Sequence, residues 1–206
     1  MADDDLKGSA ARLWSLVAAR TRMGADTAAI DQRIWDLFGQ EWAIMFTDLA
    51  GFSRQVAKFG IIHFLQIIYE QKQLLLPIVE AHDGILIKIE ADSFLILFKK
   101  PARAIACAIE MQRVCQAANA RRHAEEQMVL CVGIGFGKLI KIGDEDVFGH
   151  EVNLASKLGE DTAEGNEILA TKAARAAAGE LPNAHWEERQ ADYAGETTCW
   201  RLVYRQ

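Results

Sequence analysis

Hydrophobic residues recur at helical spacing in two segments near the start of the chain, and this pattern predicts two amphipathic helices. Asp26 or Thr27 is a suitable N-cap for the second helix, and Gly39 is a suitable stop. Because helices this short need a docking surface, we expect residues 1–40 to form an N-terminal helical extension packed on the main domain, residues 41–206, or on a second copy of it. The patterned positions are Leu6, Leu13, Leu16 and Val17, followed by Ile30, Ile34, Leu37 and Phe38.

The hydrophobic period changes several times along the next part of the chain. Short apolar runs or runs of period two predict strands, and long runs with a period near 3.6 predict helices. The resulting order is strand, helix, strand, strand, helix, strand, which is the βαββαβ arrangement of an α+β, ferredoxin-like fold. These elements fall at residues 44–47, at 52–82, twice within 85–98, at 102–120 and at 128–136.

The same periods predict which side chains are buried. In the long helical segment the buried stripe should contain Leu65, Ile68, Leu75 and Val79, with Gln66, Gln71 and Gln73 elsewhere. In the first strand of 85–98, alternation should bury Ile85, Ile87 and Ile89.

Beyond residue 136 the pattern predicts extra C-terminal helices and strands. We expect a hairpin arm at 138–145, a helix from about residue 151, a short strand near 168, a helix at 171–178 and a strand pair within 185–204. The alternating glycines of VGIGFG (133, 135 and 137) are not followed directly by a helix. They therefore indicate close packing of a strand rather than a dinucleotide-binding loop.

Composition and charge exclude several classes of protein. The net charge of −6, without a basic block, argues against a nucleic-acid scaffold. No apolar run approaches the roughly 20 residues that cross a bilayer, and MADDDLKGSA lacks the layout of a signal peptide. The four cysteines are widely spaced, which is typical of reduced thiols. We therefore expect a cytoplasmic protein with no membrane span and no nucleic-acid partner.

The stretch IMFTDLAGFS, residues 44–53, carries the first candidate chemistry. Asp48 ends a short apolar run, and the chain then turns through Gly51 into a helical pattern. A carboxylate at a strand end can bind a hard cation, and free N–H groups at a helix start, here around Gly51, Phe52 and Ser53, can face phosphate oxygens. The alternative is that Asp48 only caps the following helix.

Three motifs in order make the chain resemble the class III nucleotidyl cyclases over roughly residues 42–204. They are FTDLAGFS, then KIEADSF where the family usually has Lys-x-x-Gly-Asp, then DVFGHEVNLASKL, which is similar to Asp-x-x-Gly-x-x-Val-Asn-x-Ala-x-Arg. The resemblance implies an in-line attack of a ribose 3′-hydroxyl on the α-phosphorus of a nucleoside triphosphate, with loss of pyrophosphate.

For metal binding, the resemblance implies that Asp48, Asp92 and the backbone carbonyl of Leu49 hold Mg²⁺ or Mn²⁺, two ions per site. Two metals suit this reaction, since one lowers the pKa of the hydroxyl and the other binds the triphosphate. All-oxygen ligation favours these ions. Taken alone, Asp92 fits a turn-forming role in a tight hairpin better than a metal site; its pairing with the first motif favours metal.

For base recognition, the resemblance assigns Lys88 and Asp146 to the adenine edge. Lysine donates to a ring nitrogen and aspartate accepts from the 6-amino group, whereas guanylyl members of the family carry Glu and Cys at the corresponding positions. The pair therefore indicates ATP, because guanine would leave polar groups unpaired. The alternatives are a Lys88–Glu90 pair and a loop role for Asp146.

For catalysis, the resemblance implies that Asn153 orients the ribose and that Lys157 stabilises charge on the reacting phosphate. They stand four residues apart on a predicted helix. Lysine at position 157 replaces the usual arginine and lacks its bidentate fork; a plain Lys157–Asp161 ion pair on a solvated face is the alternative.

Two further departures from the family pattern bear on activity. Ala91 replaces a glycine, and the C-terminal strands lack the family's γ-phosphate lysine, leaving Arg189 or Arg201 as candidate substitutes.

The expected function is that of an adenylate cyclase that forms cyclic AMP as a homodimer. In the family, the metal carboxylates come from one subunit and the base-reading and transition-state residues from the other, so that two sites lie at the interface. One alternative is a weak or inactive regulatory module that binds nucleotide or only dimerises, and another is a guanylate cyclase. The absence of a Gly-Gly-Asp/Glu-Glu-Phe signature argues against a diguanylate cyclase.

Overall fold

A computed structural model describes residues 8–51 and 59–205 of the 206-residue chain. In these two ranges the helices are α1 (Gly8–Arg20), α2 (Thr27–Phe38), α3 (Ile61–Ala81), α4 (Pro101–Asn119), α5 (His150–Ser156) and α6 (Lys172–Ala178). The strands are β1 (Gly39–Leu49), β2 (Ile85–Glu90), β3 (Ser93–Phe98), β4 (Leu130–Ile142), β5 (Asp146–Phe148), β6 (Ile168–Ala170), β7 (Ala184–Tyr193) and β8 (Glu196–Tyr204). A 3₁₀ turn covers Ala124–Glu126, and a π-helical turn, Lys157–Thr162, continues α5.

All strands of the described residues join one sheet in the order β2-β3-β1-β4-β6-β8-β7, with β5 paired to β4. Only β4 and β6 pair in parallel; the other pairs are antiparallel. The first four strands in this order form the ferredoxin-like unit, because the crossover through α4 places β4 beside β1 rather than beside β3. The α+β fold expected from the sequence is confirmed.

Strand β1 lies at the centre of this unit and separates two hydrophobic layers. Ala43 and Met45 face a core that helices α3, α4 and α6 cover, whereas Ile44 faces a smaller core under α5. Asp48 shares the α5 side by alternation. The prediction of a strand at 44–47 was too short, because β1 begins at Gly39, where exposed polar residues still pair with β4.

The buried stripe of α3 differs from the predicted one. Leu65 is exposed, and Gln71 is fully buried. The stripe consists of Phe64, Ile67, Ile68, Gln71, Leu75, Ile78 and Val79. The sequence pattern failed here because a polar residue at a buried helical position breaks the apolar period on which the prediction depends.

Strand β2 also departs from the prediction, because Ile85 is exposed. A register shift between Leu86 and Lys88 interrupts the alternation, and β2 lies at the edge of the sheet, where a side chain has neighbours on one flank only. Lys88 nevertheless lies on the side that β5 approaches.

Helices α1 and α2 form the predicted N-terminal pair and pack on the sheet. Their buried residues, which include Leu13, Leu16 and Phe38, surround Ile142 at the end of β4. The Asp26 side chain caps α2 by accepting a hydrogen bond from the Ala29 amide at 3.0 Å. Within the described ranges no helix has the length and apolar content needed to cross a bilayer.

The alternating glycines of β4 let α5 and the π turn approach the sheet closely. A Cβ atom at Gly133 would lie 2.2 Å from the Ala155 carbonyl oxygen, and one at Gly135 would lie 2.6 Å from the Glu151 carbonyl oxygen. The expected close packing is therefore that of a helix against a strand, and it fixes the position of α5.

Candidate functional site

The carboxylates of Asp48 and Asp92 lie close together, because the end of β1 is next to the turn between β2 and β3. Strand β1 pairs with β3 so that Thr47 lies opposite Phe94, which brings Asp48 next to the turn that holds Asp92. The Ser93 hydroxyl donates to Asp48 Oδ1 at 3.0 Å, and the Leu49 amide donates to Asp92 Oδ2 at 3.2 Å. The sheet register thus assembles two acids that are far apart in the sequence.

The electrostatics of this acidic pair are unfavourable without a cation. Burial raises the pKa of Asp92, and the charge of Asp48 raises it further, to about 7. Burial also raises the pKa of Asp48, although the hydrogen bond from Ser93 opposes this rise. Two like charges in one half-buried site favour proton uptake or binding of an external cation.

The turn that carries Asp92 adopts an uncommon backbone conformation. Ala91 has φ 52°, in the left-handed region that glycine adopts without cost. The buried side chain of Gln71 donates from Nε2 to the Asp92 main-chain oxygen at 2.9 Å. Gln71 and Ser93 are not among the site residues predicted from the sequence; a polar residue in a helix whose neighbouring turns are apolar is the signal that would have identified Gln71.

The turn after β1 contains Gly51, whose φ of 85° also requires the left-handed region. The Ala50 amide donates to the Val129 carbonyl at 2.8 Å and ties this turn to the chain just before β4. The predicted phosphate-facing residues Phe52 and Ser53 lie outside the described residues.

The donor set of the acidic pair fits a hard divalent cation. Neither described range contains a cluster of three or more His, Cys, Asp or Glu side chains suited to a metal. Magnesium, however, is commonly held by one or two carboxylates, with water and substrate phosphates completing its shell. The carboxylates of Asp48 and Asp92 and the nearby main chain of Leu49 are donors of the type that such a site uses.

A cleft of about 300 Å³ lies beside the acidic pair. Lys88 Nζ lies 3.0 Å from Asp146 Oδ2 and 3.3 Å from Glu90 Oε1. Asn153 also borders this cleft, as does Ser93, which bonds to Asp48. The structure therefore brings the predicted base-reading pair and the predicted ribose residue to one cleft within a single chain.

Lys157 does not border this cleft. Its side chain is 54% exposed, and its Nζ lies 2.5 Å from Asp161 Oδ2. The ion pair with Asp161 raises the pKa of Lys157. The α-helix that carries Asn153 ends at Ser156 and a π turn begins at Lys157, but the Lys157 amide still donates to the Asn153 carbonyl, so the two residues keep the predicted helical spacing.

The two arginines considered as γ-phosphate ligands form an ion-pair network with glutamates. Arg189 contacts Glu167 and lies 3.4 Å from Glu164, whereas Arg201 lies 3.5 Å from Glu167 and 2.7 Å from Glu187. Burial raises the pKa of Cys131 to about 12, and the charges of Asp48, Glu167 and Asp92 add to the shift. Both arginines are therefore already paired with carboxylates of the same chain.

Known proteins share this architecture. The guanylyl cyclase Cya2 superposes with a TM-score of 0.68 at 22% identity, over 80% of this chain and 92% of that one. The adenylyl cyclase CyaB of P. aeruginosa superposes with a TM-score of 0.65 at 19% identity, over 82% of this chain and 97% of that one. At these identities the likeness concerns the fold.

A sequence relative is a Rhizobium meliloti (strain 1021) protein named "Putative adenylate cyclase 3", with 30% identity over 116 residues, or 56% of this chain. That match spans only 20% of the relative's length. Residues 39–192 match the family described as Adenylate and Guanylate cyclase catalytic domain. Since this match covers most of the chain, the protein belongs to the adenylate and guanylate cyclase catalytic domain family.

Proposed function

We propose that this domain is an adenylate cyclase, which converts ATP into 3′,5′-cyclic AMP and pyrophosphate. The observation that carries the proposal is the acidic pair Asp48–Asp92, assembled beside a cleft that Lys88, Asp146 and Asn153 line. A structural role alone does not account for two adjacent carboxylates with raised pKa values.

Asp48 and Asp92, with the Leu49 carbonyl, would hold the divalent ions. Bound Mg²⁺ or Mn²⁺ supplies positive charge that acidifies the ribose 3′-hydroxyl and neutralises the triphosphate. The 3′-oxygen forms a bond to the α-phosphorus as the bond to the β-phosphate bridging oxygen breaks, and the hydroxyl proton leaves to solvent. Asn153 orients the ribose, and Lys157 offsets charge on the α-phosphate after it exchanges Asp161 for substrate.

ATP is favoured over GTP because the base-reading pair contains one donor and one acceptor. The Lys88 ammonium group donates only, whereas the Asp146 carboxylate accepts only. Adenine presents a ring nitrogen acceptor and an amino donor that match this pair, and guanine would oppose it with unpaired polar groups. In this structure the two side chains bind each other at 3.0 Å, so the base must enter between them.

A homodimer is the proposed assembly, in keeping with the resemblance of the motifs to the class III cyclases. An exposed apolar stripe on α3 supports it, because a second copy of the chain would bury that stripe. The exposed residues are Ile61, Ile62, Leu65 and Tyr69. The described cysteines are all free and buried, which suits the proposed cytoplasmic location.

The second candidate is a catalytically weak or inactive regulatory module on the same scaffold. The observation that favours it is the pairing of Lys157 with Asp161, together with the neutralised Arg189 and Arg201. Such a module would bind nucleotide without turning it over. A guanylate cyclase has no comparable support, since Lys88 and Asp146 oppose guanine.

The test is chromatographic detection of cyclic nucleotide from purified protein, with ATP and GTP each offered with Mg²⁺ and Mn²⁺. We expect cyclic AMP from ATP, stimulated most by Mn²⁺, and its loss in the near-isosteric variant Asp48→Asn. Nucleotide binding without any cyclic product would support the regulatory module. Undiminished cyclic AMP formation by Asp48→Asn would contradict the role of the acidic pair.

A further inference from the structure

Gln71 is a fully buried polar residue in the middle of the apolar stripe of α3. Its Nε2 donates to the Asp92 main-chain oxygen at 2.9 Å, whereas its Oε1 has no hydrogen-bond partner within the described part of the chain. A methionine would fill a similar volume without burying an unpaired oxygen. Packing therefore does not account for an amide at this position, but the bond to Asp92 does.

The residue before Asp92 shows why the turn needs this bond. Ala91 occupies the left-handed region at φ 52°, and a residue with a Cβ atom persists there only where its surroundings fix it. Asp92 is held at two points: its carboxylate by the Leu49 amide and its main chain by Gln71. The β2–β3 pairing at Glu90 and Ser93 closes the turn, and these two bonds add a contact to its main chain and one to the carboxylate.

We propose that Gln71 is a positioning residue for divalent cation binding, which holds the Ala91–Asp92 turn so that the Asp92 carboxylate faces Asp48. The inference rests on the proposed function, since it concerns the cation of that site. Groups that orient a metal ligand commonly change metal affinity by about 10- to 100-fold when removed. Gln71 contacts the ligand's main chain and acts through it.

Gln112 on α4 offers a matched control. It is also fully buried, donates from Nε2 to the Leu130 carbonyl at 2.9 Å and to the Glu167 carbonyl at 3.4 Å, and has an Oε1 without a partner in the described ranges. The burial and the unpaired oxygen match those of Gln71, but the hydrogen bonds support the start of β4 and the chain before β6 instead of the Asp92 turn. A general effect of removing a buried amide would appear in both variants.

The first experiment measures Mn²⁺ affinity by electron paramagnetic resonance, with a non-hydrolysable ATP analogue at saturation. The variants are Gln71→Met, Gln112→Met and Asp48→Asn, with melting temperatures recorded for each. We expect Gln71→Met to weaken Mn²⁺ binding about 10-fold, and Gln112→Met to bind like the wild type. Equal Mn²⁺ affinity in Gln71→Met and wild type would overturn the proposal, and so would equal losses in the two glutamine variants.

A second experiment tests the turn directly. The double variant Gln71→Met/Ala91→Gly should regain most of the lost affinity, because glycine adopts positive φ without the support of Gln71. Hydrogen exchange should accelerate at residues 91–94 in Gln71→Met, and at residues 130–132 in Gln112→Met. If Gln71→Met does not fold, Gln71→Asn, which keeps the amide but shortens it by one methylene group, replaces it.

These readouts separate the inference from the proposed function. Wild-type protein that binds Mn²⁺ but releases no cyclic nucleotide would contradict the cyclase activity, and the loss in Gln71→Met would still support the positioning role. Equal Mn²⁺ binding by wild type and Asp48→Asn would remove the cation site and the inference together.

Discussion

The acidic and basic halves of the site differ in how their charges are balanced. Asp48 accepts a hydrogen bond from the Ser93 hydroxyl and Asp92 accepts one from the Leu49 amide, and no described Lys, Arg or His forms an ion pair with either carboxylate. Lys88 and Lys157, by contrast, each bind an aspartate of the same chain. In the proposed site, the acidic half would therefore take up a proton or an external cation, whereas the basic half would exchange an internal carboxylate for substrate.

This difference explains how the same scaffold can support either an active cyclase or a catalytically inactive regulatory module. Binding of a cation at the acidic pair is favourable because it relieves like-charge repulsion between buried carboxylates. Binding of a phosphate at Lys157 is less favourable, because it replaces an existing ion pair on the surface, where such pairs are weak. The following predictions test each half, from the largest expected effect to the smallest.

Removing one acid should cause the largest loss. We expect Asp48→Asn to lower kcat by about 1,000-fold, equivalent to about 4 kcal/mol of lost transition-state stabilisation, because one carboxylate cannot hold the cations. The measurement is the rate of cyclic AMP formation with Mn²⁺. Glu164→Gln, an acid in the arginine network, is the control, and a comparable loss there would contradict the special role of the acidic pair.

Exchanging the base-reading pair should reverse nucleotide preference. Lys88→Glu with Asp146→Cys should shift the ratio of kcat/KM for ATP over GTP by about 100-fold towards GTP, because mismatched buried donors and acceptors cost a few kcal/mol. Competition assays with both nucleotides measure this ratio. An unchanged ratio would show that the base binds elsewhere than between these two residues.

Strengthening the basic half should raise the rate. Lys157→Arg restores a bidentate donor, and we expect about a 10-fold gain in kcat, or about 1.4 kcal/mol. Asp161→Asn should act in the same direction by freeing the lysine. A regulatory module would show no gain in either variant, which single-turnover kinetics can establish.

The raised pKa of Asp92 predicts a pH-dependent stability. In the folded protein the Asp92 carboxyl has a pKa of about 7. In the unfolded chain its pKa is the ordinary value of about 3.9. Stability should therefore fall as pH rises from about 4 to 7, and Asp92→Asn should be more stable than wild type at pH 8, by on the order of 1 kcal/mol. Thermal unfolding in EDTA measures the difference, which should shrink towards pH 4; a constant difference would contradict the assignment.

The smallest effect concerns the turn itself. Ala91→Gly removes a left-handed strain of about 1–2 kcal/mol but adds about 0.5–1 kcal/mol of unfolded-state entropy. The expected net gain is therefore about 0.5 kcal/mol in the free energy of unfolding, measured by urea denaturation. A loss of stability would show that the strain at Ala91 is smaller than its φ suggests.

Local patterns in the sequence determined the order of the secondary-structure elements and the family of this protein. Hydrophobic periods gave the order of strands and helices, and three motifs gave the family, because both signals depend on near neighbours in the chain. They failed for Ile85 and Gln71, where the edge of a sheet and a polar contact inside the core override the local period.

Only the tertiary structure decided how distant residues meet. The pairing of β1 with β3 places Asp48 beside Asp92, and β5 brings Asp146 to Lys88. The burial that raises the pKa of Asp92, the contact from Gln71 and the capture of Lys157 by Asp161 likewise follow from three-dimensional packing. Charge balance at a site depends on through-space distance and burial, which no sequence period encodes.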